Sequence, residues 1–304
     1  MRMYQEYTYQ SCGAGKINVS KWVPEQEICG IVQIVHGIAE YSRRYDDFAR
    51  FLNAQGFLVV AEDHMGHGKS VDETLGYFNG GWFSAVDDTY RLMKDTMKEY
   101  PDVPYILFGH SMGSFMARTI LIKYPDCGIA GAIICGTGWQ PTAVLKSGIA
   151  ISKAVCKFTD RKKPNMMLQK LMFGSYNAHV EHPRTEYDWL TRWESCVDAY
   201  VADPLCGFIP TAGLAQDMLC GIDFIQIKDN ISKMNKSLPV FFVAGGEDPV
   251  GNYGAGVRKT AEMFEKTGME RVATKIYPLC RHEILNEINK NEVYEDLLNW
   301  MKNI

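Results

Sequence analysis

Short, nearly continuous apolar runs recur along the chain, at Gly30–Val35, Phe57–Ala61, Tyr105–Phe108, Ala130–Cys135, Val240–Ala244 and Ala273–Tyr277. A strand covered on one face only would alternate apolar and polar side chains. Runs without alternation call for apolar neighbours on both faces, as in a parallel sheet with helices on each side. Helix-like segments lie between many of the runs, among them Tyr45–Ala54, Ser84–Glu99 and Ser114–Lys123. Strands alternating with helices predict a wound α/β sheet, mostly parallel and flanked by helices. Ahead of it, Tyr4–Gln10 and Lys16–Val23 alternate with period two about Cys12-Gly13-Ala14-Gly15, which predicts an antiparallel hairpin at a sheet edge.

The rhythm fails between about Gly138 and Pro239, where helical patterns occur without a convincing buried strand. This predicts a core in two parts, residues 1–138 and 211–304, interrupted by a helical cap over 139–210. An apolar fraction of 46% supplies a large core, and a net charge of -4 gives no reason to expect a nucleic-acid partner. The nine cysteines form no C-x-x-C pair and are odd in number. A disulfide framework is therefore not expected, and a reducing compartment is. Met1–Glu6 lacks the apolar run of a signal peptide, and no stretch approaches the ~18 apolar residues of a membrane span. The expectation is a soluble, cytoplasmic protein.

Gly109-His110-Ser111-Met112-Gly113 fits G-x-S-x-G, directly after the apolar run Tyr105–Phe108 and before a helix-like segment. In that context the motif predicts a sharp strand-to-helix turn that exposes the Ser111 hydroxyl as a nucleophile. A serine needs a base, and the base needs an orienting carboxylate. His36, His64, His67 and His110 precede Ser111, against the chain order of this turn type, and His179 and His182 lie in the helical interval. His282 remains, in a loop after a late strand. Asp248 follows the run Phe241–Ala244 and two glycines, with Glu247 as its nearest competitor. The Met112 amide, next after the nucleophile, is one expected oxyanion donor. The other is expected from the loop Val35–Glu40, where Gly37 permits close approach.

His36-Gly37-Ile38-Ala39-Glu40 with Arg44-Tyr45, Asp63-His64-Met65-Gly66-His67-Gly68-Lys69-Ser70, the Ser111 motif, Asp248 and His282 together resemble the monoacylglycerol lipase and lysophospholipase group of α/β-hydrolases. The resemblance implies the α/β-hydrolase fold, Ser111 as nucleophile with His282 and Asp248 as partners, and the Ile38 and Met112 amides as the oxyanion hole. It also implies hydrolysis of fatty-acyl glycerol or lysophospholipid esters without a cofactor. His64 and His67 have a ligand-like spacing, but a loop fixed by glycines and hydrogen-bonded imidazoles is the expectation, with no metal.

In the cap, Val144, Ile151, Val155 and Phe158 recur at helical spacing, Lys146, Lys153 and Lys157 fall roughly opposite, and Arg161–Lys163 follow. Such a helix either rests transiently on an anionic lipid surface or packs on the core with a solvated lysine face, the commoner arrangement. Met166, Met167, Met172, Trp189, Trp193 and Met218 either line an adaptable apolar pocket or are core. Cys206 and Cys280 are candidates for thiol-reagent sensitivity by proximity. Two other functions compete: an aminopeptidase resembling the proline iminopeptidases, with Glu181, Glu186 or Glu194 holding a substrate amine, and a non-catalytic binding protein on the same scaffold.

Overall fold

The computed structural model describes residues 4–304. Met1–Met3, the start of the N-terminal segment read above, lie outside the described residues. The hairpin forms as expected, from β1 (Tyr4–Gln10) and β2 (Lys16–Trp22). There follow β3 (Gly30–Val35), α1 (Asp46–Ala54), β4 (Phe57–Glu62), α2 (Gly81–Glu99), β5 (Tyr105–His110), α3 (Met112–Lys123) and β6 (Gly131–Cys135). The interval without strands holds α4 (Thr142–Phe158), α5 (Met166–Phe173), α6 (Glu194–Ala202), α7 (Ala212–Gln226) and α8 (Lys228–Ile231). The chain ends with β7 (Val240–Gly245), α9 (Ala255–Lys266), β8 (Val272–Tyr277) and α10 (Lys290–Lys302).

The strands make one eight-stranded sheet in the order β1-β2-β4-β3-β5-β6-β7-β8, antiparallel only at β1–β2 and β2–β4. The period-two geometry divides each buried strand between two cores. On β5, Tyr105 and Leu107 join the core beneath α2, α3, α7 and α9, while Ile106 and Phe108 join the core beneath α1 and α10. One expectation is corrected. The run Ala273–Tyr277 is an edge strand, with Ala273 and Thr274 exposed, because β8 has a neighbour on one side only.

The parallel strands point their carboxyl ends the same way, and the loops leaving β3, β5, β6, β7 and β8 gather at that edge. This is where a wound sheet offers a crevice for ligands. The helical interval reaches over the same edge: Glu283 N–H donates to the Leu190 carbonyl (2.7 Å) and Arg281 Nη1 to the Asp188 carbonyl (2.7 Å). At its other margin, Tyr200 Oη and Gly207 N–H both donate to the Ala39 carbonyl, at 2.9 and 3.0 Å. No helix among the described residues is long and apolar enough to cross a membrane.

Candidate active site

The turn between β5 and α3 is strained where the sequence motif predicts it. Ser111 has φ +55° and ψ −122°, a conformation that costs a non-glycine residue about 1–3 kcal/mol. The Ser111 N–H donates to the Cys135 carbonyl at 3.0 Å, which pins the turn to the end of β6. The flanking glycines answer a packing demand. A Cβ on Gly113 would overlap the Val35 carbonyl, so this residue lets α3 start hard against β3. Met112 is the first residue of α3, and a first-turn amide has no acceptor within its own helix. Both the free amide and the helix dipole thus lie beside the serine.

Gly37 approaches the same serine from β3, since a Cβ there would lie 3.2 Å from Ser111 Cβ. The loop is held from below, because Gly37 N–H donates to Glu40 Oε1 at 2.6 Å. Ile38, the other residue named for the oxyanion hole, follows directly and is half-buried.

His282 and Asp248 come together although 34 residues separate them. His282 Nδ1 lies 3.0 Å from Asp248 Oδ1, and both side chains are buried. The same oxygen accepts from Val250 N–H at 2.9 Å. Oδ2 is buried without a hydrogen-bond partner among the described residues. Glu247, the competitor for the acid role, is half-exposed and faces Arg281 instead. The imidazole ring is closely packed: the tilted rings of Trp189 and His110 lie at 5.0 and 4.7 Å between centroids, and Gly136 abuts Cε1 and Nδ1. No hydrogen bond joins Ser111 and His282 among the described residues. Such contacts are often long in ligand-free sites and tighten with substrate.

The remaining expectations fall out as follows. His36 and His64 stack at 3.8 Å, His64 N–H donates to His36 Nε2 at 2.9 Å, and His67 Nδ1 lies 3.0 Å from the Met65 carbonyl. Burial, with the neighbouring imidazoles, pushes His36 well below its ordinary value and His67 down to about 3, which makes them neutral struts of the loop. Glu181, Glu186 and Glu194 are exposed, and Glu194 faces Arg184, so none is aimed at the serine. On α4 the buried residues are Leu145, Ile149 and Ser152. Val144 and Phe158, from the apolar stripe, are 62% and 81% exposed, and Ile151 is exposed too. Met166 and Met167 are exposed beside them, and Met218 is core.

The sequence does not reveal the place of three elements at the site: Trp189 is legible there only as pocket or core, and Glu40 and Arg44 only as part of a family-like motif. Trp189 covers the imidazole, and Tyr176 packs on Trp189 at 4.8 Å, with its phenol pushed upward by burial and by the Asp248 charge. Arg118, on α3, is fully buried without a carboxylate, and burial pulls it down to about 9. It donates to the Gly138 carbonyl (3.1 Å) and the Ile225 carbonyl (3.3 Å), binding both ends of the helical interval to the nucleophile's helix. Glu40, Arg44 and Glu283 form a buried ionic group below the site.

A family model described as Hydrolase_4, serine aminopeptidase S33, matches residues 26–289. The chain is 27% identical over 303 residues to the monoacylglycerol lipase of Mycolicibacterium smegmatis, covering 97% of this chain and 96% of that protein. It is 28% identical to the monoglyceride lipase of Homo sapiens, over 88% of this chain and 84% of that one. Among solved structures, a highly thermostable carboxyl esterase from Bacillus coagulans aligns with a TM-score of 0.90 at 30% identity, covering 100% of this chain and 99% of that chain.

Proposed function

The chain belongs to the Hydrolase_4 (serine aminopeptidase, S33) family and is a serine hydrolase, and we propose that its substrates are monoacylglycerols and lysophospholipid-like acyl esters. Ser111 Oγ attacks the ester carbonyl while His282, through Nε2, takes its proton. Asp248 holds Nδ1–H and so fixes the tautomer that leaves Nε2 free. The oxyanion that develops is met by the Ile38 and Met112 amides, and the alcohol leaves with the proton from His282. The acyl-enzyme is then hydrolysed by water activated by the same imidazole. No step calls for a cofactor or a metal.

The observation that carries this reading is Ser111 in a strained turn at the head of α3, at the same sheet edge as the buried His282–Asp248 pair. Strain of this kind persists only where surrounding structure enforces it. Lipid esters are favoured over amines because Glu181, Glu186 and Glu194, the carboxylates considered for holding an amine, are turned to solvent, and because relatives along nearly the whole chain are named for monoacylglycerols. Residues 139–210 act as a cap, with Trp189 as its contact to the base. Val144, Ile151, Phe158, Met166 and Met167 are exposed on it, and Lys146, Lys153 and Lys157 are exposed on the other flank of α4, a composition suited to transient contact with anionic lipid. Nine free cysteines support a cytoplasmic setting.

The test is a substrate panel on the wild type and Ser111→Ala: monoacylglycerols of graded chain length, a lysophospholipid, simple esters and aminoacyl nitroanilides. Ester turnover that vanishes in the variant is expected, as is labelling of the wild type alone by a fluorophosphonate probe. Turnover of nitroanilides alone would overturn the ester reading, and an unlabelled, folded wild type would favour the binding protein. Binding to anionic vesicles that weakens with salt is expected of the cap, and absent or salt-insensitive binding would remove the lipid contact.

A further inference from the structure

Four ionisable side chains lie immediately below the site, and the reaction described above uses none of them. Glu40 follows the oxyanion loop, Arg44 lies in the 3-10 turn Ser42–Tyr45, His110 ends β5 next to Ser111, and Glu283 adjoins His282. Arg44 donates through Nη1 to Glu40 Oε2 (2.7 Å), and through Nη1 and Nη2 to both oxygens of Glu283 (2.6 and 2.7 Å). Glu40 Oε1 accepts from Gly37 N–H (2.6 Å) and from Tyr45 Oη–H (2.9 Å). His110 Nδ1 lies 2.9 Å from Tyr45 Oη and 3.3 Å from Glu40 Oε1, and its Nε2 lies 3.4 Å from the His282 carbonyl. Glu40, His110 and Glu283 are all buried.

Two independent arguments give the charge of His110. The first is donor bookkeeping. Tyr45 commits its proton to Glu40, so the phenol oxygen can only accept from Nδ1, and a backbone carbonyl can only accept from Nε2. A neutral imidazole would set one bare nitrogen against an acceptor. The second is charge balance. Two carboxylates against one guanidinium leave a buried negative charge, which is costly, and a second cation removes it.

We infer that His110 is a positioning residue, a buried imidazolium that ties the oxyanion loop, through Glu40 and Gly37, to the loop bearing the base, through the His282 carbonyl. This role rests on the Ser111–His282 reading. The titration of His110 answers to every wall of its surroundings. Glu40, Tyr45 and Arg44 face it from the segment after β3, Glu283 and the His282 ring from the base loop with Asp248 behind, and the Cys135 thiol from β6. Burial by itself would lower its pKa, but the hydrogen bond and charge of Glu40, then the charge of Glu283, outweigh burial and raise it. Both carboxylates are held below their usual range despite burial, Glu40 by His110 and Arg44, Glu283 by Arg44. The cavity that Glu40, Tyr45, His110, Glu283, Leu285 and Asn286 line is about 10 Å³, too small for substrate, so the group supports the site without binding ligand.

The experiment combines nitrogen-15 NMR of the histidine rings in the Ser111→Ala protein with pH profiles of kcat for wild type, His110→Gln and Glu283→Gln. The inference expects both ring nitrogens of His110 to carry protons at pH 7.5. It expects His110→Gln to lower kcat by up to about 10²-fold, with KM little changed, as befits a misplaced reacting group. The wild type should lose kcat on the alkaline side as His110 deprotonates. That limb should vanish in His110→Gln and move to lower pH in Glu283→Gln, where one buried negative charge is gone. A single ring proton on His110 at pH 7.5, or an alkaline limb unaltered in both variants, would overturn the inference. Should His110→Gln not fold, the ring spectrum and the Glu283→Gln profile still decide. Ester turnover persisting in Ser111→Ala would instead strike the functional reading, and the protonation of His110 would stand as measured.

Discussion

Gly136→Ala is a sensitive test of where the imidazole sits. Gly136 follows β6 directly, with φ +59°, and its N–H donates to the Val243 carbonyl at 2.9 Å. An added methyl has two consequences of different kinds. The backbone conformation costs an L residue about 1–2 kcal/mol, which lowers Tm by a few degrees in a chain of this size. The methyl carbon would also lie 3.0 Å from His282 Cε1 and 3.3 Å from Nδ1. Comfortable carbon contacts begin near about 3.5 Å, so the ring must yield by roughly half an ångström. Its movement is opposed by the Trp189 ring 5.0 Å away and by Asp248, which holds Nδ1 at 3.0 Å. A misplacement approaching 1 Å costs up to about 10²-fold in rate, so a fall in kcat of about ten- to a hundredfold is expected. Gly128→Ala is the control: Gly128 has φ +86°, and its Cβ would meet nothing within 4 Å. Thermal melts and steady-state kinetics on a medium-chain ester, run on both variants, separate the two effects. Both should lose stability, and only Gly136→Ala should lose kcat beyond the unfolded fraction. Equal kcat in the two variants would refute the placement of His282 as the working base.

Asp248→Asn should keep the fold and KM but lower kcat by about 10⁴-fold, through loss of the correct tautomer, and a fall under tenfold would give the acid role to another group. Acidification should destabilise the protein from about pH 6.5 downward. His36 and His67 are held below their ordinary 6.5 in the folded state, so the unfolded chain binds protons first, and their contribution is lost as pH falls towards 3. Below about 4.5 the depressed carboxyls of Glu40 and Glu283 add to the loss, so a Tm constant between pH 7 and 4 would contradict the assignment. His110 has the opposite sign, its contribution complete below 6.5 and lost as pH rises through its raised value. Burial and the charge of Glu287 push Cys280 up to about 11, so maleimide at pH 7.5 should label exposed Cys12 and Cys29 and spare activity. Inactivation in step with Cys280 labelling would contradict this.

Much of the sheet could be read directly because a strand covered on both faces leaves a run that no other element requires. Gly30–Val35 and Tyr105–Phe108 lie at the centre of the sheet, and their runs match the strands to within two residues. At the edge the same reasoning overreached. Val272–Tyr277 carries Thr274 and Lys275, and one missing neighbour is enough to expose its first half. On α4 the sequence holds two apolar arcs, Val144–Ile151–Phe158 and Leu145–Ile149. Helical periodicity ranks neither above the other, since only α7 packing against one of them decides which is buried. The site divides in the same way. Ser111, Asp248 and His282, the proposed triad, each follow a readable strand, so local context can nominate them one at a time.

The ionic group below the site has no such local mark. Arg44 meets Glu283 across 239 positions and His110 meets the His282 carbonyl across 172, pairings that exist only once the sheet has brought its strand ends together. This bears on how the site holds its geometry. A base fixed by Asp248 alone would be free to tilt about one hydrogen bond. Here the imidazole also packs against the rings of Trp189 and His110, while its loop is anchored by Glu283 to Arg44. Arg44 in turn holds Glu40, and Glu40 holds the Gly37 amide beside Ser111. On the proposed reading, the oxyanion loop and the base therefore share one buried ionic support. Enzymes gain most where reacting groups are held before substrate arrives. The cost of burying four charges beneath this site follows from that need, since an apolar filling of the same space could pack equally well but could not fix the direction of an amide and an imidazole together.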